Sequence, residues 1–171
     1  MTKELRIRDA AVSGMAGAVA VTTVHQVARR LTDNAPRMDV VGVRALTRGA
    51  HMADVSLPGP ATLQTAALAG DLLCNTAYYS LATTWRRGIV LGLAAGVGAL
   101  VLPPRMGLGD PPKSDRLSNK MMTVAWYLAG GLAAAATATC LTGLREQPPS
   151  DAGDWTADWR SYGELGHLRG A

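Results

Sequence analysis

Residues 88–102 read GIVLGLAAGVGALVL, fifteen positions without one polar side chain. Residues 121–144 read MMTVAWYLAGGLAAAATATCLTGL, where Thr is the only polar type besides Cys140. A helix on the surface of a soluble bundle shows a polar stripe every turn, and neither stretch has one. Both read instead as bilayer crossings, which need about 20 mostly apolar residues. The 15 residues of the first stretch cover ~22 Å at ~1.5 Å each, so either flanking residues 83–85 or 103–108 complete the crossing or the stretch spans a thinned region of bilayer.

Elsewhere along the chain the charges are segregated. Residues 10–24 carry none, and the apolar pattern runs on past His25 and Gln26 to Ala28. Residues 61–82 carry a single charge, Asp71. The chain-wide averages of 48% hydrophobic, 18% charged and a mean hydropathy of +0.09 therefore mix near-uncharged segments with charged loops. Lys3, Arg6 and Arg8 precede the first apolar run as in a secretory signal. Glu4 and Asp9 dilute that basic region, and Arg29 and Arg30 follow the run as a helix flank, so it reads as a span.

The fold class that follows is all-α: a four-transmembrane-helix bundle with spans at about 10–28, 61–82, 88–104 and 121–144. These make a membrane domain over 1–144, followed by a polar tail over 145–171. In the first loop Asn34, Ala35 and Pro36 give a helix-start signal. From there Met38, Val41, Ala45 and Met52 fall on one helical face, and Arg37, Arg44, Arg48 and His51 on another. This predicts a short amphipathic helix over about 36–52. It either lies at the interface with its basic residues towards lipid headgroups or packs on the bundle as a solvated connection. Pro103, Pro104, Pro111 and Pro112 mark a stiff third loop. In the tail, Trp155, Trp159, Tyr162 and Leu165 recur at helical spacing behind Asp154, which predicts a C-terminal amphipathic helix. Lys and Arg divide 8 to 9 between the two sides. The basic flank after the first span favours the first and third loops as cytoplasmic.

Small residues recur at spacing four: Ala10, Gly14 and Ala18; Ala66 and Gly70; Gly88, Gly92 and Gly96; Gly130, Ala134 and Ala138. Apolar bulk gives helices no reason to associate in lipid, whereas small residues let backbones approach closely. The 29 Ala and 19 Gly, with no Phe, suit a bundle packed this way. The third-span glycines serve either contacts inside one chain or a homo-oligomer.

An ionisable side chain at membrane depth costs at least ~2.5–3.5 kcal/mol and is expected to face the bundle interior. Gln64, Leu68, Asp71, Asn75 and Tyr78 share one face of the second span. With spans begun at residues 10, 61 and 121, Asp71 comes out near the midplane, and His25, Gln26, Gln64 and Tyr127 lie nearer one end. Thr22 falls between these levels. The candidate intramembrane polar cluster is therefore Thr22, His25, Gln26, Gln64, Asp71, Asn75, Tyr78 and Tyr127. The leading reading is a structural one, in which Asp71 ties helices together and the protein acts through a membrane-protein partner or as an oligomer. The alternative is a small transport or channel subunit for a proton, cation or small polar solute.

Enzymatic signatures are missing. The chain has no HExxH, GxSxG, Walker loop or CxxC. Its three histidines share no ligand spacing, and Cys74 and Cys140 differ in depth by about a turn and a half. No cofactor or metal is expected, the bilayer is the expected partner, and the dispersed charge of +4 gives nucleic-acid binding no support.

Residues 70–80 (GDLLCNTAYYS) and 122–131 (MTVAWYLAGG) resemble segments of small bacterial multi-pass, four-helix membrane proteins to which no activity is assigned. The resemblance implies a bacterial inner-membrane protein. The preference for Arg over Lys, 14 to 3, suits a GC-rich bacterial genome.

Overall fold

A computed structural model describes residues 3–146. These residues form five α-helices and no sheet: α1 (Lys3–Leu31), α2 (Met38–Met52), α3 (Pro60–Tyr79), α4 (Trp85–Arg105) and α5 (Leu117–Glu146). The chain falls into two compact units, Met1–Cys140 and Leu141–Ala171. The first holds α1 to α4 and most of α5. Of the second, the described residues are the closing turn and a half of α5, and the C-terminal helix expected around Trp155 lies outside them.

Three segments are long and apolar enough to cross a membrane: Arg6–Leu31, Trp85–Arg105 and Leu117–Arg145. This is the length and composition of a multi-pass helical membrane protein. The second expected span, α3, has 20 residues, or ~30 Å of helix, but the polar residues along it keep it out of that apolar set.

Each helix starts and stops for local reasons. Pro60 opens α3 in the first turn, where its missing N–H is not needed. Thr84 caps α4, its side chain accepting from the Arg87 N–H at 3.3 Å. The third span thus begins at Trp85, three residues before the apolar run. It ends at Arg105, through Pro103 and Pro104 rather than before them. Two prolines are tolerated in a last turn because their own carbonyls still accept. Pro103 receives the N–H groups of Met106 and Leu108, and Pro104 that of Gly107. The prolines do withhold the two N–H groups that would reach the carbonyls of Ala99 and Leu100. α2 begins at Met38, two residues later than the Asn34 to Pro36 signal, because those residues are taken up by the third loop. The Arg37 N–H donates to Pro112 O at 3.2 Å, the Asn119 amide donates to Asn34 O at 3.0 Å, and the Lys113 ammonium donates to Asp33 O. The first and third loops are therefore joined at one end of the bundle.

Backbone proximity holds the helices. A Cβ on Gly14 would lie 2.2 Å from Thr76 O of α3, and one on Gly17 2.7 Å from Gly130 O of α5. Along α4, a Cβ on Gly88, Gly92 or Gly96 would lie 2.5, 2.7 or 2.6 Å from backbone atoms of Gly131, Leu128 or Val124 in α5. All three glycines are buried, so the third-span stripe is occupied by α5 of the same chain and is no free surface for a second copy. Gly130 closes on Gly17 and Tyr79, and Ala134 is fully buried beside Gly17. Gly70 differs from the rest of the set, with nothing within 4 Å of its Cβ position. Tyr79, 0% exposed, sits where α1, α3 and α5 meet and donates its hydroxyl to Tyr127 O at 2.7 Å.

Candidate functional site

Between these crossings the bundle encloses a cavity of about 600 Å³. α1 contributes Thr22, His25, Gln26 and Arg29; α3 contributes Gln64, Leu68, Asp71, Cys74, Asn75 and Tyr78; α5 contributes Tyr127. All eight residues of the polar cluster read from helical spacing and depth therefore line one space. The opposite wall, Ala94, Ala95, Gly98 and Ala99 of α4, is apolar and made of the smallest residues. α2 closes the end nearest the loops with Met38, Asp39, Val41, Gly42 and Ala45. Met38, Val41 and Ala45 of its expected apolar face are thus turned to the bundle, as in the packed-connection reading, whereas Met52, in the last turn, is exposed and lies outside this cavity. The cavity opens sideways, where Leu68, Asp71 and Cys74 of α3 and Ala94 and Leu102 of α4 are exposed. Among the described residues the two helices share one hydrogen bond, near their connecting turn, where Tyr78 donates its hydroxyl to Leu91 O at 2.9 Å.

The polar wall is incompletely satisfied. Thr22 Oγ1 and His25 Nε2 are buried with no hydrogen-bond partner. A buried polar atom left in that state costs about 1–3 kcal/mol, so both are placed to receive a guest or water. The His25 ring is fixed edge-on against Trp126 and Tyr127, with centroids 4.8 and 5.5 Å away. Asp71 accepts from the Asn75 amide at 3.0 Å, a bond within α3. Among the described residues Asp71 has no hydrogen bond to another helix. Cys74 and Cys140 are free and exposed. Among the described residues no group of three His, Cys, Asp or Glu could hold a metal ion.

One feature of the rim escapes any reading by span. Arg29, at the end of α1, meets Asp39 of α2 at 3.2 Å, and Arg37 meets the same carboxylate at 3.0 Å. The only signal for it is the opposite sign of charges flanking the first loop. Burial pushes the Asp39 carboxyl up; the hydrogen bond from Arg37 and the charges of Arg29 and Arg37 outweigh it and hold the group below the usual carboxylate range. A carboxyl depressed on folding stabilises the folded state fully above its unfolded pKa of about 4 and loses that contribution as pH falls through the folded value. Thermal unfolding in detergent should show a steeper loss of Tm below pH 4 for the unaltered chain than for Asp39→Asn. Superimposable acid limbs would remove Asp39 from the pairing.

No protein-family model, curated protein or solved structure matches this chain.

Proposed function

We propose that the protein is a four-span membrane protein that binds a small cationic solute in its cavity and passes it through the membrane. Topology supports the fourth crossing. α1 delivers the chain to the end where the first and third loops are joined, and α4 delivers it to that same end. The chain must therefore return along α3, despite the polar face of that helix. A polar face is admissible in a span that lines a cavity.

The observation that carries the solute reading is Asp71 on the cavity wall without a partner on another helix. The charged lining is Arg29, Asp39 and Asp71. Asp39 is taken up by Arg29 and Arg37 at the rim, so Asp71 is the one acidic group of the lining that no arginine pairs, and an ionised Asp71 makes its part of the wall locally negative. Tyr78 and Tyr127 line the same cavity, and aromatic rings can attract cations. A volume of this size takes a solute of many atoms or an ion with its water. The structural reading is the weaker one, because a carboxylate bonded within its own helix holds no others in place.

The test uses the full chain in liposomes. Proton entry is followed with an internal pH-sensitive dye and organic-cation uptake with ethidium, each under an imposed potential. Flux of at least one should exceed that of empty liposomes and fall at least about tenfold in Asp71→Asn, with Tm in detergent unchanged within a few degrees. Loss of the folded protein in Asp71→Asn, or equal flux in both proteins, would return Asp71 to a structural role.

A further inference from the structure

A second space, about 520 Å³, lies on the other side of α2. Arg44, Thr47, Arg48 and His51 reach it from successive turns of the helix, and Gly107 and Leu108 of the chain leaving α4 close it. Two left-handed glycines build the closure. Gly107 and Gly109 both have φ of +72°, a conformation other residues rarely adopt. They turn the chain directly beneath the two arginines. A Cβ on Gly107 would lie 2.9 Å from Arg48 Nη1, and one on Gly109 3.4 Å from Arg44 Nη1. Arg44 is anchored there, its Nη1 donating to Leu108 O and Asp110 O, each at 3.0 Å. Its remaining guanidinium donors are not used in those bonds. Arg48 and His51 form no ion pair or side-chain hydrogen bond among the described residues, and no carboxylate lines the space.

Two permanent positive charges, one turn apart on α2, thus stand over this backbone with no ion pair among the described residues, Arg44 anchored to it and Arg48 beside Gly107. Guanidinium groups match the oxygens of a phosphate ester in charge and in planar donor geometry. The location selects the source of that phosphate. The pocket sits at the end of α4, one of the three segments apolar enough to cross the membrane, directly after Arg105. Its rim carries Val43, Met52 and Leu108, with Met52 81% exposed. A phosphate at that level belongs to a lipid headgroup, and the apolar rim lies where its acyl chains begin. We propose that this pocket binds the phosphate of an anionic phospholipid, with Arg48 and Arg44 as its donors and His51 at its edge. The site rests on the membrane placement of α4 and not on the cation reading of the cavity.

The full chain, purified in neutral detergent, is titrated with phosphatidylglycerol or phosphatidylcholine. Tm is followed, and retained lipid is counted by native mass spectrometry. Phosphatidylglycerol should raise Tm saturably with one lipid retained, and phosphatidylcholine should not. Arg48→Ala should weaken the apparent affinity about tenfold, equivalent to losing one strong charged contact. Arg86→Ala, on the other side of the bundle, should titrate like the unaltered chain. Should Arg48→Ala not fold, Arg48→Gln keeps the length of the stem and is read by the same titration. Equal response to both lipids, or an Arg48 variant that titrates like the unaltered chain, overturns the proposal. Saturable stabilisation by inorganic phosphate alone, undiminished when lipid is present, overturns the lipid source.

Discussion

Gly131→Ala should destabilise the bundle although it adds a single methyl group. A Cβ at this position would stand 2.2 Å from Gly88 O and 3.1 Å from Gly92 Cα. Both obstacles are backbone, so no rotamer change relieves them, and α4 and α5 must move apart along the crossing. Overpacking of a tight contact costs typically about 1–3 kcal/mol. Separating two helices whose association depends on close approach places this substitution at or above the upper end. The expected result is a large fall in Tm in detergent, and a further fall for Gly131→Leu. Gly70→Ala is the matched control. It also exchanges glycine for alanine in a helix interior, but nothing lies within 4 Å of the added atom, so Tm should hold or rise slightly. If Gly131→Ala and Gly70→Ala behaved alike, the glycine spacing would be composition and not a packing device.

Gly70 and Gly88 show what spacing leaves open. Spacing alone nominated Gly70 and Gly88 on equal terms. Which of them meets another helix depends on the rotation of each helix about its axis. In α3 the rotation is visible, because Gln64, Asp71, Asn75 and Tyr78 label one face, and a rise of ~1.5 Å per residue sets their depth against Thr22, His25 and Tyr127. The polar half of the cavity could be drawn from those two periodicities. In α4 no polar residue labels any face between positions 88 and 102, so the apolar wall of the cavity had no mark by which to be found. α2 was hidden for another reason. Its apolar face was plain from Met38, Val41 and Ala45, but the partner of that face is chosen by the third loop, through Arg37 to Pro112, Asn119 to Asn34 and Arg44 to Leu108. These contacts join residues far apart in sequence, and no local pattern announces them. Gly107 and Gly109, between the two proline pairs of the third loop, carry the left-handed conformations that bring the chain beneath α2.

Gly98→Leu should do the opposite of Gly131→Ala: hold or raise stability while filling the proposed solute site. Gly96 and Gly98 are two residues apart on the same helix and face different surroundings. A Cβ on Gly96 would lie 2.6 Å from Val124 Cα, whereas one on Gly98 meets only Leu102 Cδ1, at an ordinary 3.5 Å. Gly98 lines the cavity, so a leucine there extends into space that is open. Relieving a helix interior of glycine is worth about 0.5–1 kcal/mol, and the new side chain adds apolar contact with the alanine wall. The cost falls on the guest. A leucine side chain removes a substantial part of the room opposite Thr22, His25 and Asp71 without touching any of them. Asp71-dependent flux in liposomes should therefore drop at least about tenfold while Tm stays level or rises. Here occlusion and charge removal converge by different routes, since Asp71→Asn keeps the volume and loses the charge, and Gly98→Leu keeps the charge and loses the volume. Flux that survives Gly98→Leu but not Asp71→Asn would place the path outside the cavity, along the exposed side of α3. A stable Gly98→Leu protein without flux would place it inside, between the polar wall of α1 and α3 and the small-residue wall of α4.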